Sequence, residues 1–288
     1  MKIKANPLFE KIKIFFELSR IRNCAIGFFA IFVVAFFLNY NFLEKSMKLL
    51  LAGLSLFFIM AAGNMINDYF DFQVDNVNKK FKPIPSGKIK RDYVLALSAI
   101  FFILGILLAF YINSNCATLA TFNSLILVFY AKFSKKIIFI SNFIIAYLTA
   151  SIFIFALFST ETELKVENFR LLSILTASAF LMTLSREIIK DIEDEKADKV
   201  IGGISIPIKF GNKIARNIAI IFALSAVLVS FLPFFILKEN FNLFYYGTLI
   251  FLANAIFLIS FRMKPEKTQR IMILGMFLAL IAFFVGKF

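Results

Sequence analysis

Apolar runs of about twenty residues recur along almost the whole of this chain, and they constrain its fold more than any other feature. A run of that length is what an α-helix needs to cross the hydrocarbon core of a bilayer, because each helical residue adds about 1.5 Å. The 60% share of apolar residues also lies well above the near-half share of soluble domains. We therefore expect an all-α membrane protein.

The apolar runs predict nine transmembrane helices. They lie near residues 23–42, 46–66, 92–111, 116–131, 137–158, 170–187, 214–237, 241–261 and 269–287. No polar stretch exceeds about thirty residues, so we expect residues 1–288 to form one transmembrane domain, with the helices around a central cavity. The basic, amphipathic N-terminal segment lacks a small-residue cleavage site and is interpreted as a retained interfacial helix.

The formal charge of +14 is distributed asymmetrically. With the nine spans above, 26 of the 32 lysines and arginines fall on the same side as the N-terminus. Basic residues favour the cytoplasmic side, so we expect a multi-pass protein of the cell membrane with the N-terminus in the cytoplasm. The basic excess then indicates contact with anionic lipid head groups and not with nucleic acid.

Histidine is absent from the sequence, which excludes catalysis by an imidazole base and every metal site with histidine ligands. The two cysteines, Cys24 and Cys116, stand far apart in apolar surroundings. Their spacing fits no metal-binding motif, and we expect both to be buried as small hydrophobic residues.

Thirteen of the eighteen acidic residues also fall on the cytoplasmic side, and most lie in two loops, 63–91 and 185–213. Each loop contains Asp-x-x-Asp-x-x-x-Asp and continues a span in a helix-compatible pattern until Pro or Gly stops it. The two copies are related by an offset of 123 residues. The first motif consists of Asp68, Asp71 and Asp75, and the second of Asp191, Asp194 and Asp198. The sequence therefore predicts a pseudo-repeat of two acidic helical loops that cap the cavity.

Helical spacing places the carboxylates of each motif on one face. At about 100° per residue, the first motif shares a stripe about 100° wide with Asn64 and Asn67, and the second forms a narrower stripe with Glu187. Stacked carboxylates repel one another and are costly to bury, so a cation is expected to offset them. Oxygen ligands favour Mg²⁺, which typically bridges carboxylates and substrate phosphates. The alternative is a solvated charged loop whose acids pair with neighbouring lysines.

Cationic and aromatic side chains near the acidic loops fit a substrate with a diphosphate head and an apolar tail. The basic candidates are Arg20, Arg22, Lys82, Lys88, Arg91, Arg186, Lys190 and Lys209. Arg186 and Lys190 flank the second stripe at the predicted edge of the bilayer. Tyr130 and Lys135 place a phenol and an ammonium at the end of the fourth span, where the alternative is an ordinary interfacial pair. Departure of a diphosphate would leave an allylic cation, which apolar walls must shield from water.

These residues resemble a known family. The chain is similar in four features to the UbiA superfamily of intramembrane prenyltransferases. These features are Asn67-Asp68-x-x-Asp71-x-x-x-Asp75, the following Lys82-Pro-Ile-Pro-Ser-Gly87, a second Asp motif after the sixth span, and an Arg-x-Arg-Asn entry to the first span. Within it, Ser185–Asp194, Ile204–Ile208 and Ala146–Phe155 look like the archaeal digeranylgeranylglyceryl phosphate synthases.

That resemblance implies Mg²⁺-dependent transfer of a geranylgeranyl group from geranylgeranyl diphosphate to the free hydroxyl of geranylgeranylglyceryl phosphate. The product would carry the second ether bond of archaeal membrane lipids. The residues implied to hold Mg²⁺ and diphosphate are Asn67, Asp68, Asp71, Asp75, Asp191, Asp194 and Asp198, with Asp68, Asp71, Asp191 and Asp194 expected to be catalytic. The residues implied to bind substrate are Arg22, Asn23, Asn64, Lys82, Tyr130, Lys135, Arg186 and Lys190. Lys82 departs from the usual arginine, which keeps the charge but loses the bidentate fork.

Two alternatives stay open at this point. One is a UbiA enzyme that prenylates an aromatic acceptor, such as 4-hydroxybenzoate or a naphthoate, or a tetrapyrrole. The other is a divalent-cation transporter, for which ionisable groups near the bilayer midplane would be expected. The predicted span centres are nearly free of charge, which disfavours transport.

Overall fold

The computed structural model describes residues 7–38, 42–78, 81–133, 137–160, 165–200, 202–237 and 241–287. Its regular elements, within these ranges, are all α-helices. In chain order they are α1 (Pro7–Ser19), α2 (Ile21–Phe37), α3 (Phe42–Phe70), α4 (Phe72–Asn78), α5 (Arg91–Ile112), α6 (Ser114–Phe133), α7 (Ile140–Thr160), α8 (Val166–Val200), α9 (Ile206–Phe210), α10 (Asn212–Ser230), α11 (Pro233–Ile236), α12 (Leu243–Ser260) and α13 (Pro265–Val285).

Eight helical segments in the described part of the chain are long and apolar enough to cross a membrane, and α1 with α2 makes a ninth if that bent pair is one span. Eight of the nine predicted spans coincide with these eight segments, and the predicted span 23–42 overlaps α2 of the bent pair. The chain is therefore an all-α, multi-pass membrane protein. Both α3 and α8 continue past the predicted apolar run, so that α3 carries Asp68 and α8 carries Asp191, Asp194 and Asp198.

The first compact unit comprises Met1–Phe32, Asn41–Ser134 and Phe158–Thr160. Its centre is the packing of α3 against α5, joined by two hydrogen bonds between helices. Ser55 donates to the carbonyl of Gly105 at 2.7 Å, and Ser98 donates to the carbonyl of Ala62 at 3.1 Å. Close approach through small residues and hydroxyl donors is how helices associate where lipid offers no hydrophobic driving force.

The N-terminal helix α1 bends by 63° into α2. Arg20, at the bend, has φ +50°, a left-handed conformation that residues other than glycine seldom adopt. One face of α1 exposes apolar side chains at helical spacing, Phe9, Ile12 and Phe16, while Leu18 is buried against Met65 of α3. An amphipathic helix is thus confirmed, and its position at the membrane interface stays a prediction.

The second compact unit comprises Val33–Tyr40, Lys135–Leu157 and Glu161–Phe288. Here α8 packs against α10 and α13, and α12 packs against α13. Ser185 of α8 donates to the carbonyl of Ala219 in α10 at 2.7 Å. A core that includes Met182, Phe257 and Met272 fills the space between these helices. The C-terminal half of α8 is thereby fixed to its neighbours by both a hydrogen bond and apolar packing.

Both cysteines are fully buried and unoxidised. Cys24 lies in α2 and Cys116 in α6, each with no exposed surface. The thiol of Cys24 donates to the carbonyl of Ser19 at 3.0 Å, across the bend between α1 and α2. The sequence-based expectation of buried, structural cysteines is confirmed.

Candidate active site

The first acidic motif spans a break between two helices. Asn67 and Asp68 belong to the last turns of α3, Asp71 lies at the break, and Asp75 is in α4. The i to i−4 backbone bonds nevertheless continue through it, from the amide of Asp71 to Asn67 (2.9 Å) and from Asp75 to Asp71 (2.8 Å). The motif therefore keeps helical spacing, as the sequence predicts, although the helix is interrupted.

Lys82 connects two carboxylates of this motif. Its Nζ lies 3.0 Å from Oδ1 of Asp68 and 2.6 Å from Oδ2 of Asp75. The two aspartates are only 5% and 3% exposed, so their charges are nearly removed from water and need a partner. A single ammonium thus occupies a position between two carboxylates, where a bound cation would also be favoured.

The segment 82–88 folds back on itself and places Lys82 next to the motif. The amide of Ser86 donates to the carbonyl of Lys82, and the amide of Lys88 donates to the carbonyl of Pro83. Gly87 has φ +73°, with open space where a side chain would be, so its backbone conformation is what favours glycine there. The Lys-Pro-Ile-Pro-Ser-Gly pattern is therefore a compact turn.

A second cation reaches the same carboxylate. Arg20, at the bend between α1 and α2, lies 3.4 Å from Oδ1 of Asp68. Burial raises the pKa of the Asp75 carboxyl above its ordinary value, although the bond to Lys82 acts in the opposite direction. The two cations therefore offset the desolvation of the buried carboxylates only in part.

Asn67 is placed to contribute an oxygen ligand. Its Nδ2 donates to Oδ2 of Asp71 at 2.9 Å. Its Oδ1 is buried and has no hydrogen-bond partner among the described residues. An amide oxygen without a partner is a costly feature unless a ligand satisfies it, and it is a suitable donor for Mg²⁺.

Two of the predicted residues near the first motif have structural contacts. Arg91 donates from Nε to the carbonyl of Tyr69 at 3.0 Å and stacks over the Tyr69 ring at 4.0 Å, so it caps the C-terminus of α3. Asn64 donates to the carbonyl of Ser19 at 2.9 Å and fastens α1 to α3. Neither contact was apparent from the sequence, because both partners are backbone carbonyls.

The remaining predicted residues of the first unit are more peripheral. Arg22 and Asn23 are exposed on the first turn of α2, and Tyr130 is half-buried in the last turns of α6. Lys135 lies outside the described residues. Their roles in substrate binding stay predictions.

The second acidic motif lies on the continuous helix α8. The helix ends in a paired-bond cap, in which the amide of Gly202 donates to Lys199 and the amide of Gly203 donates to Asp198 at 2.9 Å. Gly202 has φ +69°, the left-handed conformation that this cap requires. The glycines that the sequence identifies as helix-ending signals therefore end α8 directly after Asp198.

Asp191 receives a hydrogen bond from a residue that the sequence analysis missed. Nδ2 of Asn142, in the first turn of α7, donates to Oδ2 of Asp191 at 2.8 Å. Asn142 is 2% exposed, and its Oδ1 has no hydrogen-bond partner in the part of the chain that is described. The only sequence signal was an amide side chain in the first turn of an apolar span.

Glu187 binds both cations that flank the second motif. Its Oε1 lies 2.7 Å from Nη1 of Arg186, and its Oε2 lies 3.5 Å from Nζ of Lys190. Glu187 is 6% exposed, so this carboxylate is nearly removed from water, whereas its partners Arg186 and Lys190 are half-buried. Nε of Arg186 is buried and makes no hydrogen bond to any described residue, which leaves a donor available for an anion.

Acidic residues outside the second stripe have other contacts. Glu195 accepts hydrogen bonds from Lys199 (2.6 Å) and Asn212 (2.8 Å), and Glu193 accepts one from Gln269 (2.9 Å). In the alternative of a solvated charged loop, Lys199 would pair with the Asp motif. It is instead bonded to Glu195, which does not belong to the motif. The stripe of Asp191, Asp194 and Asp198 remains a distinct group.

No three acidic or cysteine side chains in the described ranges form a ready-made metal cage. Mg²⁺ retains several waters and typically uses one or two carboxylates together with substrate phosphates, so a closed cage is not required. The buried, unpartnered amide oxygens of Asn67 and Asn142 lie beside carboxylates, which is the donor chemistry that Mg²⁺ prefers. The residues present therefore fit the ion.

A comparison with known proteins decides the family. The model of the UbiA prenyltransferase family matches residues 28–281, which is well over half of the chain. This chain belongs to the UbiA prenyltransferase family. It is accordingly a membrane-embedded prenyltransferase, and the resemblance predicted from the Asp motifs is confirmed.

Relatives within the UbiA family are similar along their whole length. Digeranylgeranylglyceryl phosphate synthase of Methanosarcina mazei is 37% identical, over 96% of this chain and 98% of its own. The enzyme of that name from Methanocaldococcus jannaschii is 35% identical, over 96% and 97% of the two chains.

Solved UbiA structures share the fold. A structure of a digeranylgeranylglyceryl phosphate synthase superposes with a TM-score of 0.77 at 35% identity, covering 96% of this chain and 99% of that one. A UbiA homologue from Archaeoglobus fulgidus, bound to DMAPP and Mg²⁺, superposes with a TM-score of 0.70 at 18% identity, covering 95% and 98%. At that identity the second likeness concerns the fold alone.

Proposed function

We propose that this prenyltransferase moves a geranylgeranyl group from geranylgeranyl diphosphate to the free hydroxyl of geranylgeranylglyceryl phosphate. The observation that carries the proposal is full-length similarity, at 35–37% identity, to relatives named digeranylgeranylglyceryl phosphate synthase. The product would carry the second ether bond of an archaeal membrane lipid. The Ser185–Asp194 segment, on which the sequence resemblance depends, lies on α8 at the second motif.

The donor's diphosphate is proposed to bind at the acidic motifs with Mg²⁺. In the first motif the ion would be held by Asn67, Asp68, Asp71 and Asp75, and in the second by Asp191, Asp194 and Asp198. Bound Mg²⁺ would neutralise the diphosphate and stabilise it as a leaving group. The buried amide oxygen of Asn67 supports this assignment, since it adds a neutral ligand beside the carboxylates.

The cationic side chains would complete the recognition of phosphate groups. Lys82 already lies between two carboxylates of the first motif. A diphosphate that binds there together with Mg²⁺ would therefore lie close to the ammonium group of Lys82. Arg186 offers a buried Nε donor, and Lys190 lies one helical turn further along α8. An anionic acceptor needs cations beyond those that serve the donor, and these residues are proposed to supply them.

The reaction would replace one carbon–oxygen bond with another. The bond between C1 of the prenyl group and the diphosphate breaks, and the diphosphate keeps the electron pair. The acceptor hydroxyl oxygen forms an ether bond to C1 and releases its proton. The surrounding spans are almost entirely apolar, and their role is to exclude water, which would otherwise capture the allylic cation.

The proposed orientation places both acidic motifs and the N-terminus in the cytoplasm. It rests on the uneven distribution of lysine and arginine between the two sides of the predicted spans. A charged, water-soluble product such as diphosphate would then be released into the cytoplasm. The tails of both lipid substrates would lie among the spans, consistent with a multi-pass membrane enzyme.

The experiment that tests this proposal supplies purified protein with radiolabelled geranylgeranyl diphosphate, Mg²⁺ and one acceptor at a time. The acceptors are geranylgeranylglyceryl phosphate, 4-hydroxybenzoate, a naphthoate and a tetrapyrrole. We expect a labelled diether product only with the first. Transfer to a ring or a tetrapyrrole, without transfer to the glyceryl phosphate, would replace the proposal with another UbiA activity.

A further inference from the structure

Asn142 lies beside the second acidic motif but outside every segment that carries it. It is the third residue of α7, is 2% exposed, and donates from Nδ2 to Oδ2 of Asp191 at 2.8 Å. Forty-nine positions separate the two residues, so only the packing of α7 against α8 brings them together. The contact fixes one carboxylate oxygen of a motif residue.

The orientation of the Asn142 amide follows from its partner. An amide donor is the favoured neighbour of a carboxyl oxygen, and Nδ2 faces Oδ2 of Asp191. Oδ1 is left buried with no hydrogen-bond partner among the residues described. A role in fastening α7 to α8 explains the Nδ2 contact but leaves the buried oxygen unexplained.

The first motif contains the same combination within a single segment. Nδ2 of Asn67 donates to a carboxylate oxygen of Asp71, and Oδ1 of Asn67 is also buried without a partner in the described ranges. At the offset of 123 that relates the motifs, the position equivalent to Asn67 is Lys190. The second motif thus lacks an asparagine of its own, and a neighbouring helix supplies the amide.

The backbone just before α7 is held in an unusual conformation. Phe139 has φ +66°, which a bulky side chain rarely adopts. Its ring packs with the apolar cluster around Ile188 and Ile189 of α8 and lies parallel to that of Phe222. This packing stabilises the conformation and fixes the start of α7, and hence Asn142, relative to α8.

We propose that Asn142 is a cation-binding residue of the second acidic motif. Its Nδ2 holds the Asp191 carboxylate in one orientation, and its Oδ1 completes the set of oxygen ligands for the divalent cation bound there. The inference rests on the proposed function, in which that motif binds Mg²⁺. It assigns to α7 a part of the site that the Asp motifs alone do not contain.

Binding of Mn²⁺, a paramagnetic substitute for Mg²⁺, tests this directly without turnover. The purified full-length protein is titrated with Mn²⁺ in the presence of inorganic diphosphate, and free Mn²⁺ is measured by electron paramagnetic resonance. The variant Asp191→Asn shows how much Mn²⁺ binding is lost when the site at the second motif is disabled. Leucine has a similar size but no polar side-chain atoms. We therefore expect Asn142→Leu to lower the Mn²⁺ affinity of the second motif about tenfold or more, as the loss of groups that support metal ligands does.

Asn142→Asp separates ligation from fastening. It loses the amide donor but keeps an oxygen for the cation, so we expect Mn²⁺ binding within about threefold of the original protein. If Asn142 only fastens α7 to α8, Asp and Leu should be equally harmful, and that result would overturn the inference. It would also be overturned by Mn²⁺ binding that Asn142→Leu leaves unchanged.

The matched control is Asn254→Leu in α12. Asn254 is also buried, at 5% exposure, and donates to Oγ of Ser230, with no carboxylate in that contact. The substitution Asn254→Leu should lower the thermal stability of the protein without changing its Mn²⁺ affinity. If Asn142→Leu does not fold, the test depends on Asn142→Asp alone. Mn²⁺ binding by Asn142→Asp that is as weak as binding by Asp191→Asn would then overturn the inference. If Asp191→Asn itself leaves Mn²⁺ binding intact, the proposed metal site fails instead.

Discussion

At the scale of single residues, Lys82 has an unusual position for a side chain in a turn. Its side chain is 19% exposed, and the side chains of Asp68 and Asp75 that it joins are 7% and 4% exposed. Removal of one partner from a buried ion pair leaves uncompensated charge, which costs about 3–5 kcal/mol. The lysine is therefore expected to stabilise the apo protein as well as to bind phosphate.

Lys82→Met should accordingly lower the stability of the purified protein by about 3–5 kcal/mol. The measurement is thermal or denaturant unfolding in detergent without substrate. Lys88→Met is the matched control, because Lys88 is exposed on the same turn and surface charges contribute little. Equal stability of the two variants would contradict the buried bridge.

Single residues were also where sequence reasoning was most uneven. The face shared by Asp68, Asp71 and Asp75 followed from helical spacing, since the backbone bonds continue through the break. The contact of Asn142 with Asp191 did not, because it depends on how two distant helices pack. The left-handed conformation of Arg20, which directs its guanidinium to Asp68, has no local sequence signal either.

At the scale of elements, the contact between α3 and α5 depends on the absence of a side chain at Gly105. A Cβ there would lie 2.6 Å from Cγ1 of Ile59 and 3.0 Å from the carbonyl oxygen of Ser55, which belongs to the backbone of α3. The helices could make room only by moving apart, which would also stretch the hydrogen bond from Ser55 to Gly105.

Gly105→Ala should therefore lower the melting temperature. Overpacking costs roughly 1–3 kcal/mol, which exceeds the gain of about 1 kcal/mol from the higher helix propensity of alanine. Gly53→Ala is the control, since the three atoms nearest to its Cβ would all belong to the side chain of Phe28 and not to a helix backbone. A melting temperature that rises in Gly105→Ala would show that the helices are not in close contact there.

The helices themselves were the most predictable elements, because a span must be apolar for about twenty residues wherever it lies in the bilayer. At the ends of α3 and α8 the apolar run stops but the helix continues towards or through the acidic motif, as the helix-compatible pattern of both loops predicted. Hydropathy reports the membrane boundary, whereas Gly202 and the turn at 82–88 determine where the chain leaves the helix.

At the scale of the whole molecule, membership of the UbiA family explains why both motifs occur in one chain. The resemblance found in the sequence already indicated prenyl transfer, and full-length similarity to the digeranylgeranylglyceryl phosphate synthases supports the same chemistry. The packing of the helices against one another, in contrast, could not be derived from one sequence. It depends on contacts between segments that are far apart along the chain.

Metal dependence concerns both acidic motifs, since each is proposed to bind Mg²⁺. Asp71→Asn and Asp194→Asn each remove one carboxylate charge from a partly exposed position, so the fold should persist. Prenyl transfer should fall by about 10²-fold or more in each, as for losses of groups that stabilise a leaving group. Near-normal rates in either variant, measured with radiolabelled donor, would count against metal binding by that motif.

The most direct test of the central claim is calorimetric binding of a geranylgeranyl thiodiphosphate, which is not turned over, to the purified protein with Mg²⁺ and then with a chelator. We predict tight binding in Mg²⁺, loss of at least about 10²-fold in affinity on chelation, and recovery when excess Mg²⁺ is restored. Binding that is equally tight in the chelator would contradict an account in which the two acidic motifs hold Mg²⁺ against a prenyl diphosphate.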